Sequence, residues 1–384
     1  MSSLSETELS RYARHLRLSG FGESSQLKLK AAKVLVIGAG GLGSPILLYL
    51  AAAGVGTIGI VDDDYVDISN LQRQIIFDTD DTGHSKAMIA AEKLRQLNPL
   101  ISVIAHNEKI SSANAMQLIS NYDLIADGSD NFPTRYLIND AAVLSGKPLV
   151  YGSVFRFEGQ VSVFNFLNED GSRGPNYRDL FPTPPPPDSV PDCSEAGVLG
   201  VLPGIIGSIQ ALEVLKILAG IGKVLSGRIF HFDALGMTSQ TFTLTRRADN
   251  PLNGERPSID RLIDYEAFCS GLNTINEITV DDFFKMKSAG ERFELIDVRS
   301  SVEFDELNMG GRLVSLEDIL EARNDVKDKL DKNSRLIFHC KSGSRSAKAI
   351  RHLATNFGFN KSNMFNLKGG IDGYLEYQRT RSLK

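Results

Sequence analysis

A chain of 384 residues is too long for one average domain, so two are expected. Its formal net charge of -5 argues against a nucleic-acid partner or an anionic membrane surface. The three cysteines, Cys193, Cys269 and Cys340, are too few and too scattered for a disulfide framework and point to a reducing compartment in which single thiols react. The N-terminal run from Met1 to Glu6 lacks the basic-then-apolar pattern of a secretory signal, so a cytoplasmic location is expected. Residues 5–30 then read as one amphipathic helix. Residues 33–37 form a short buried strand followed by a glycine-rich turn, residues 44–53 a helix, and residues 57–61 a second strand ending at Asp62. Further strands are expected over 101–105, 124–126 and 149–151, with helices between the earlier ones. This alternation predicts an α/β fold built on a doubly wound, largely parallel, Rossmann-like sheet.

Beyond residue 151 the character changes. Residues 160–166 alternate like an antiparallel strand, and the run Pro182-Thr183-Pro184-Pro185-Pro186-Pro187 is an extended loop with Cys193 just after it. The most apolar stretch, 198–222, carries Pro203, Gln210, Glu213 and Lys216, which favours a buried helix preceded by a loop over a membrane span. A polar stretch then leads into a second α/β pattern. Its strands are expected over 293–298 and 335–339, with a helix over 315–330 between them. We divide the chain into residues 1–270, a linker over 271–280 and a smaller domain over 281–384, with the boundary near 275. No internal repeat is visible.

Gly38-Ala39-Gly40-Gly41-Leu42-Gly43 is G-x-G-x-x-G placed after a strand and before a helix, with Asp62 closing the next strand. Glycines let the backbone approach phosphate oxygens, a helix N-terminus supplies a positive field, and the acid can hold ribose hydroxyls. The ligand is then NAD or ATP. Asn70-Leu71-Gln72-Arg73-Gln74 and Lys86 add two cations and amides beyond the second strand, and Asp127-Gly128-Ser129-Asp130-Asn131 adds carboxylates after a later one. Cations for a triphosphate, with an aspartate for Mg2+, favour ATP.

With Arg11-Tyr12-Ala13-Arg14-His15, Asp130-Asn131-Phe132-Pro133-Thr134-Arg135 and Gly197-Val198-Leu199-Gly200, these motifs resemble the MoeB/ThiF family, the activating enzymes of ubiquitin-like sulfur carriers, over residues 1–270. The resemblance implies a homodimer that uses ATP and Mg2+ to adenylate the C-terminal glycine of a small carrier protein ending in Gly-Gly. It implies that Gly38, Gly40, Gly41 and Gly43 approach the phosphates with Asn70, Gln74 and Asn131 about them, and that Asp62 binds ribose. Arg73 and Lys86 would stabilise the phosphates, Asp130 would hold Mg2+, and Arg14 would reach into the partner subunit's site. One feature departs from the family. Its two zinc-binding C-x-x-C pairs fall here on Asn176-Tyr177-Arg178-Asp179 and Asn250-Pro251-Leu252-Asn253, so no structural zinc is expected.

His339-Cys340-Lys341-Ser342-Gly343-Ser344-Arg345-Ser346 follows an apolar strand and leads into a helix. A thiol at a helix N-terminus beside an arginine should be partly ionised and nucleophilic. The C-x4-R spacing of Cys340 and Arg345 is one residue shorter than the C-x5-R of related phosphatases and suits sulfur rather than phosphate. With Leu295-Ile296-Asp297-Val298-Arg299 and Leu367-Lys368-Gly369-Gly370-Ile371, residues 280–384 resemble a rhodanese sulfurtransferase domain. Asn308-Met309-Gly310-Gly311-Arg312 and Tyr374 depart from that family's usual pattern, which weighs against free-standing thiosulfate activity. Cys193 resembles the family's crossover-loop cysteine, Cys269 reads as structural, and no histidine has ligand spacing.

The expected function joins both halves. The carrier's C-terminal glycine is adenylated, and a persulfide on Cys340, loaded by a cysteine desulfurase or another sulfur donor, attacks the acyl-adenylate. Cys193 or an external reductant then releases a thiocarboxylate for molybdopterin, thiamin or a related sulfur-containing product. The alternatives are a non-catalytic C-terminal domain that recruits the sulfur donor, and an NAD-dependent oxidoreductase.

Overall fold

The computed structural model of the protein describes residues 3–185, 197–270, 275–321 and 330–382. The chain separates into two compact units, the first running to Glu266 and the second starting at Ala267.

In the first unit, Lys33–Ile37 (β1) is an unbroken apolar run after its lysine, the pattern of a strand covered on both faces. It pairs in parallel with Thr57–Val61 (β2) on one side and Leu124–Asp127 (β4) on the other. Ser102–His106 (β3) lies outside β2, and Leu149–Phe155 (β5) lies outside β4. Glu158–Phe164 (β6), Arg228–Asp233 (β7) and Thr238–Thr243 (β8) extend the sheet antiparallel, giving the order β3-β2-β1-β4-β5-β6-β7-β8. The chain therefore winds outward from β1 in one direction and then returns to begin β4 on its other side. Between the C-terminal ends of β1 and β4 lies the switch point at which such sheets bind ligands.

Val34 and Val36 of β1, Ile58 and Ile60 of β2, and Leu124 and Ala126 of β4 share one core with the helices Gly43–Ala53, Lys86–Leu97 and Val201–Ala219. Val201–Ala219 is long and apolar enough to cross a membrane by length and composition. Here it is a core helix: Leu202, Ile206, Gln210, Ala211 and Val214 are buried, and the Gln210 amide donates to the Asp127 carbonyl at 2.7 Å. The single helix expected over 5–30 is instead three: Glu6–Arg11, Ala13–Leu16 and Gly22–Ala31. Its first break, at Tyr12, turns that side chain inward, where its hydroxyl accepts from the Asn98 amide at 2.9 Å. The second, between Leu16 and Gly22, contains Gly20, whose φ of +82° is left-handed.

The second unit is built on a five-stranded parallel sheet whose order, from one edge to the other, is Arg312–Leu313, Glu294–Asp297, Leu336–His339, Met364–Leu367 and Asn276–Ile278. Its strands are Asn276–Ile278 (β9), Glu294–Asp297 (β10), Arg312–Leu313 (β11), Leu336–His339 (β12) and Met364–Leu367 (β13). The central strand β12 is wholly buried. Of the helix expected over 315–330, Leu316–Leu320 forms with Ser315 as its cap, and residues 322–329 lie outside the described residues.

Candidate functional site

The loops after β1 and β4 touch through backbone. A Cβ on Gly128 would lie 2.8 Å from the Gly38 carbonyl oxygen, and one on Gly43 only 2.0 Å from the same atom. A side chain at Gly128 would force the two loops apart, and one at Gly43 would collide with its own loop, so the glycines let the helix Gly43–Ala53 begin tight against the end of β4. Asp62, at the end of β2, completes this corner: its carboxylate accepts the Ala39 N–H at 2.7 Å and the Asp64 N–H at 2.9 Å. Burial raises the Asp62 carboxyl above the ordinary range, while those two N–H groups and the Lys86 charge pull against it.

The cavity here is about 290 Å3 and is lined by Gly38, Gly40, Asp62, Gln74, Lys86, Asp130 and Asn131 among others. Ser85 caps the helix Lys86–Leu97, which fixes where Lys86 points; the ammonium donates to Asp64 at 3.0 Å and is itself buried. Gln74 is buried with its Oε1 lacking any hydrogen-bond partner, an acceptor at the cavity wall awaiting a donor. Asn131 caps the helix Phe132–Leu144 by accepting the Thr134 N–H at 2.9 Å, and Asp130 beside it is exposed. Asp127 serves the loop: it is buried and accepts both the N–H and the hydroxyl of Ser129. Burial raises its carboxyl too, against the pull of Arg135.

Other expected site residues stand outside that lining. Gly43 underlies the loop. Gly41 faces Arg73, whose Cγ would lie 3.5 Å from a Cβ there, and the Arg73 guanidinium donates to the Ser69 carbonyl at 3.2 Å. Asn70 contributes its carbonyl, which accepts the N–H of both Arg73 and Gln74. Arg14 is exposed on Ala13–Leu16 and does not line the cavity. Cys193 lies outside the described residues. Asp64, Lys109 and Glu108 line the cavity although the sequence reading did not select them. Only Asp64 carried a signal, its place two residues beyond the strand-ending acid.

The four positions of the family's thiolates are joined directly. The Asn176 amide donates to Asn253 at 3.1 Å, and the Asn250 amide to Asp179 at 2.7 Å. Asp179 also accepts the N–H of Asn176 and of Arg247, each at 2.8 Å. Beside them Arg178 forms a buried two-point pair with Asp140, at 2.8 and 2.7 Å, and Tyr265 donates to the same carboxylate.

In the second unit, Cys340 follows β12 and its sulfur faces the start of the helix Ser344–Phe357. Sγ accepts the Gly343 N–H at 3.1 Å and lies 3.5 Å from the Ser346 hydroxyl. That hydroxyl is also 2.7 Å from the Asn366 amide oxygen. The Cys340 and Lys341 carbonyls accept from Ile371 and Asp372, which fastens the loop to the last helix. Burial alone would push the thiol up, but hydrogen bonds from Ser346 and from the N–H groups of Gly343 and Ser342 outweigh it and bring it below the ordinary thiol range. Arg345 is paired at two points with Glu303, at 2.7 and 2.6 Å. Next to the cysteine, His339 is wholly buried, and burial lowers its pKa. Sequence reasoning missed Glu303 and Asn366, whose proximity to Cys340 arises only from the fold. Cys269 lies partly buried in the helix Tyr265–Ser270.

Residues 12–253 match the ThiF family, and residues 279–377 match the rhodanese-like domain. Over 380 residues the chain is 45% identical to a probable adenylyltransferase/sulfurtransferase MoeZ of Mycobacterium tuberculosis, covering 96% of this chain and 93% of that one. The chain belongs to the ThiF family. It carries a C-terminal rhodanese-like domain and is an enzyme, an adenylyltransferase and sulfurtransferase. A sulfur carrier protein adenylyltransferase of Thermus thermophilus is 52% identical over 262 residues, 68% of this chain and 97% of that protein. The adenylyltransferase and sulfurtransferase MOCS3 of Culex quinquefasciatus is 41% identical over 375 residues, 93% of this chain and 84% of its own. A crystal structure of E. coli MccB shares the fold, with a TM-score of 0.56 and 21% identity over 64% of this chain and 73% of that one. Adenylyl transfer in this family uses ATP, which sets the NAD reading aside.

Proposed function

We propose that the protein adenylates the C-terminal glycine of a ubiquitin-like sulfur carrier ending in Gly-Gly and then converts it to a thiocarboxylate. The observation that carries the first half is the cavity at the switch point. It sets Asp62, Lys86, Asp130 and the partnerless Gln74 Oε1 around two glycine loops. Asp62 takes the ribose hydroxyls, and Lys86 turns from Asp64 to the phosphates, with Arg73 joining from beside Gly41. The residues suit a magnesium ion: Asp130 offers an exposed hard oxygen at the phosphate end, and the triphosphate would supply further ligands. Mg2+ held there would neutralise phosphate charge. The carrier carboxylate is already an anion and needs no base. Its oxygen attacks the α-phosphorus, the bond to the β-phosphate oxygen breaks, and pyrophosphate leaves. The exposed Arg14 fits a homodimer in which each subunit completes the other's site.

In the second half, the terminal sulfur of a Cys340 persulfide attacks the acyl carbon and the bond to AMP breaks, leaving an acyl disulfide on Cys340. A thiolate, from Cys193 or an external thiol, attacks Cys340 Sγ, forms a disulfide with it and expels the thiocarboxylate. An external dithiol reductant returns that disulfide to two thiols and is itself oxidised, a desulfurase or other persulfide donor loads Cys340 again, and cytoplasmic synthesis of molybdopterin, thiamin or a related product consumes the carrier. The test is pyrophosphate exchange into ATP with a Gly-Gly-ending carrier. Exchange should require that carrier and fall about 100-fold in Lys86→Ala, the scale for losing one charged donor to a developing oxyanion. Exchange with no carrier requirement would sink the reading.

A further inference from the structure

One carboxylate beside Cys340 has no part in the steps above. Glu303 is the third residue of the helix Ser301–Glu306 and closes a capping box with Ser300, accepting the Ser300 N–H at 3.1 Å. The cap needs one oxygen, yet both face the thiol loop: Arg345 Nη1 donates to Oε2 at 2.7 Å and Nη2 to Oε1 at 2.6 Å. This pairing engages one N–H of each terminal nitrogen of the guanidinium, which also interacts with the Cys340 sulfur, so Glu303 shares a charge that an oxyanion at the loop would otherwise draw on. The Arg345 hydrogen bonds, more than anything else, hold the Glu303 carboxyl at about 2, so the pair stays charged and closed wherever a thiolate exists. The other cation of the loop, Lys341, is exposed. Thiosulfate would bring two negative charges against a thiolate, and one exposed ammonium offsets little of that in water.

We infer that Glu303 tunes donor specificity: by pairing with Arg345 it weakens the attraction of the Cys340 loop for an oxyanion, so the loop favours sulfur from an organic persulfide over thiosulfate. This rests on the sulfur-transfer reading of Cys340. With a persulfide, the Cys340 thiolate attacks the outer sulfur of R–S–SH and the donor's S–S bond breaks. The proton stays on the transferred sulfur, and R–S⁻ leaves to be protonated by water. With thiosulfate the same attack must expel the sulfite dianion, and three negative charges converge on a loop whose guanidinium charge is already shared with Glu303.

The experiment incubates the full chain with thiosulfate or glutathione persulfide and follows the added sulfur on the Cys340 tryptic peptide by mass spectrometry. The wild type should load from the persulfide far faster. Glu303→Gln keeps a residue able to cap the helix but frees Arg345, and the ratio of thiosulfate to persulfide loading should rise roughly tenfold, the scale of one charge-assisted hydrogen bond. Salt should erase that gain, and the double variant E303Q/R345Q should return the ratio to the wild-type value. A ratio unchanged in E303Q, or a gain that survives loss of Arg345, would overturn the inference while leaving sulfur transfer intact. No sulfur on Cys340 from either donor would overturn both.

Discussion

At the scale of single residues, the thiol is governed by a shared proton. The Ser346 hydroxyl has one hydrogen and three acceptors in reach: Cys340 Sγ at 3.5 Å, the Gly343 carbonyl at 3.0 Å and the Asn366 amide oxygen at 2.7 Å. A neutral thiol is a weak acceptor, so the hydrogen rests with Asn366; a thiolate draws it over. That preference for the anion lowers the thiol pKa, so the reactive form is populated at lower pH than in an ordinary cysteine. Alkylation of Cys340 should accordingly rise through a pH midpoint below that of a free thiol. In Ser346→Ala the midpoint should move upward, because the hydroxyl that favours the anion is gone. A rate-against-pH profile with iodoacetamide, read on the Cys340 peptide, checks both.

At the scale of elements, the helix Tyr177–Leu180 and the turn at Asn250 are joined by side chains where the family's metal would stand. Asp179 alone accepts from Asn176, Arg247 and Asn250, and it is buried. Replacing it by alanine leaves the Asn176 and Arg247 N–H groups unmet and the Asn250 amide with only Asn176 to donate to, at a cost on the order of 2–4 kcal/mol. Thermal unfolding should show Asp179→Ala melting well below the wild type, and neither zinc nor a chelator should move either midpoint. A wild-type midpoint that drops with chelator would show instead that a metal holds these segments. The glycine loops work at the same scale. Gly43 and Gly128 are fixed by the approach of two loops and a helix rather than by local turn preference.

At the scale of the whole molecule, the two proposed steps fall to two compact units, and a thiol substitution should split them. Cys340→Ser should leave carrier-dependent pyrophosphate exchange near the wild-type rate while thiocarboxylate formation, followed by carrier mass, falls to background. Much of this was legible in the sequence. The glycine loop, Asp62, Lys86 and Asp130 stand at fixed positions after apolar runs, and the Cys340 loop is a contiguous stretch whose chemistry depends on its own backbone. The unbroken helix expected over 5–30 failed because the periodicity of an amphipathic segment does not register a tyrosine that turns inward to meet Asn98. Local order by itself determined the two folds, the glycine corner beside Asp62 and the placing of the Cys340 thiol at a helix start, since each rests on residues a few positions apart whose spacing sets a turn, a cap or a strand end. Tertiary structure alone decided that Glu303 closes on Arg345, that Asn366 shares the Ser346 proton, that Gln74 Oε1 faces a cavity without a partner, and that four amide and carboxylate side chains hold segments more than seventy residues apart. Those contacts join residues distant in the chain, and the distance between them is set by how strands and helices pack.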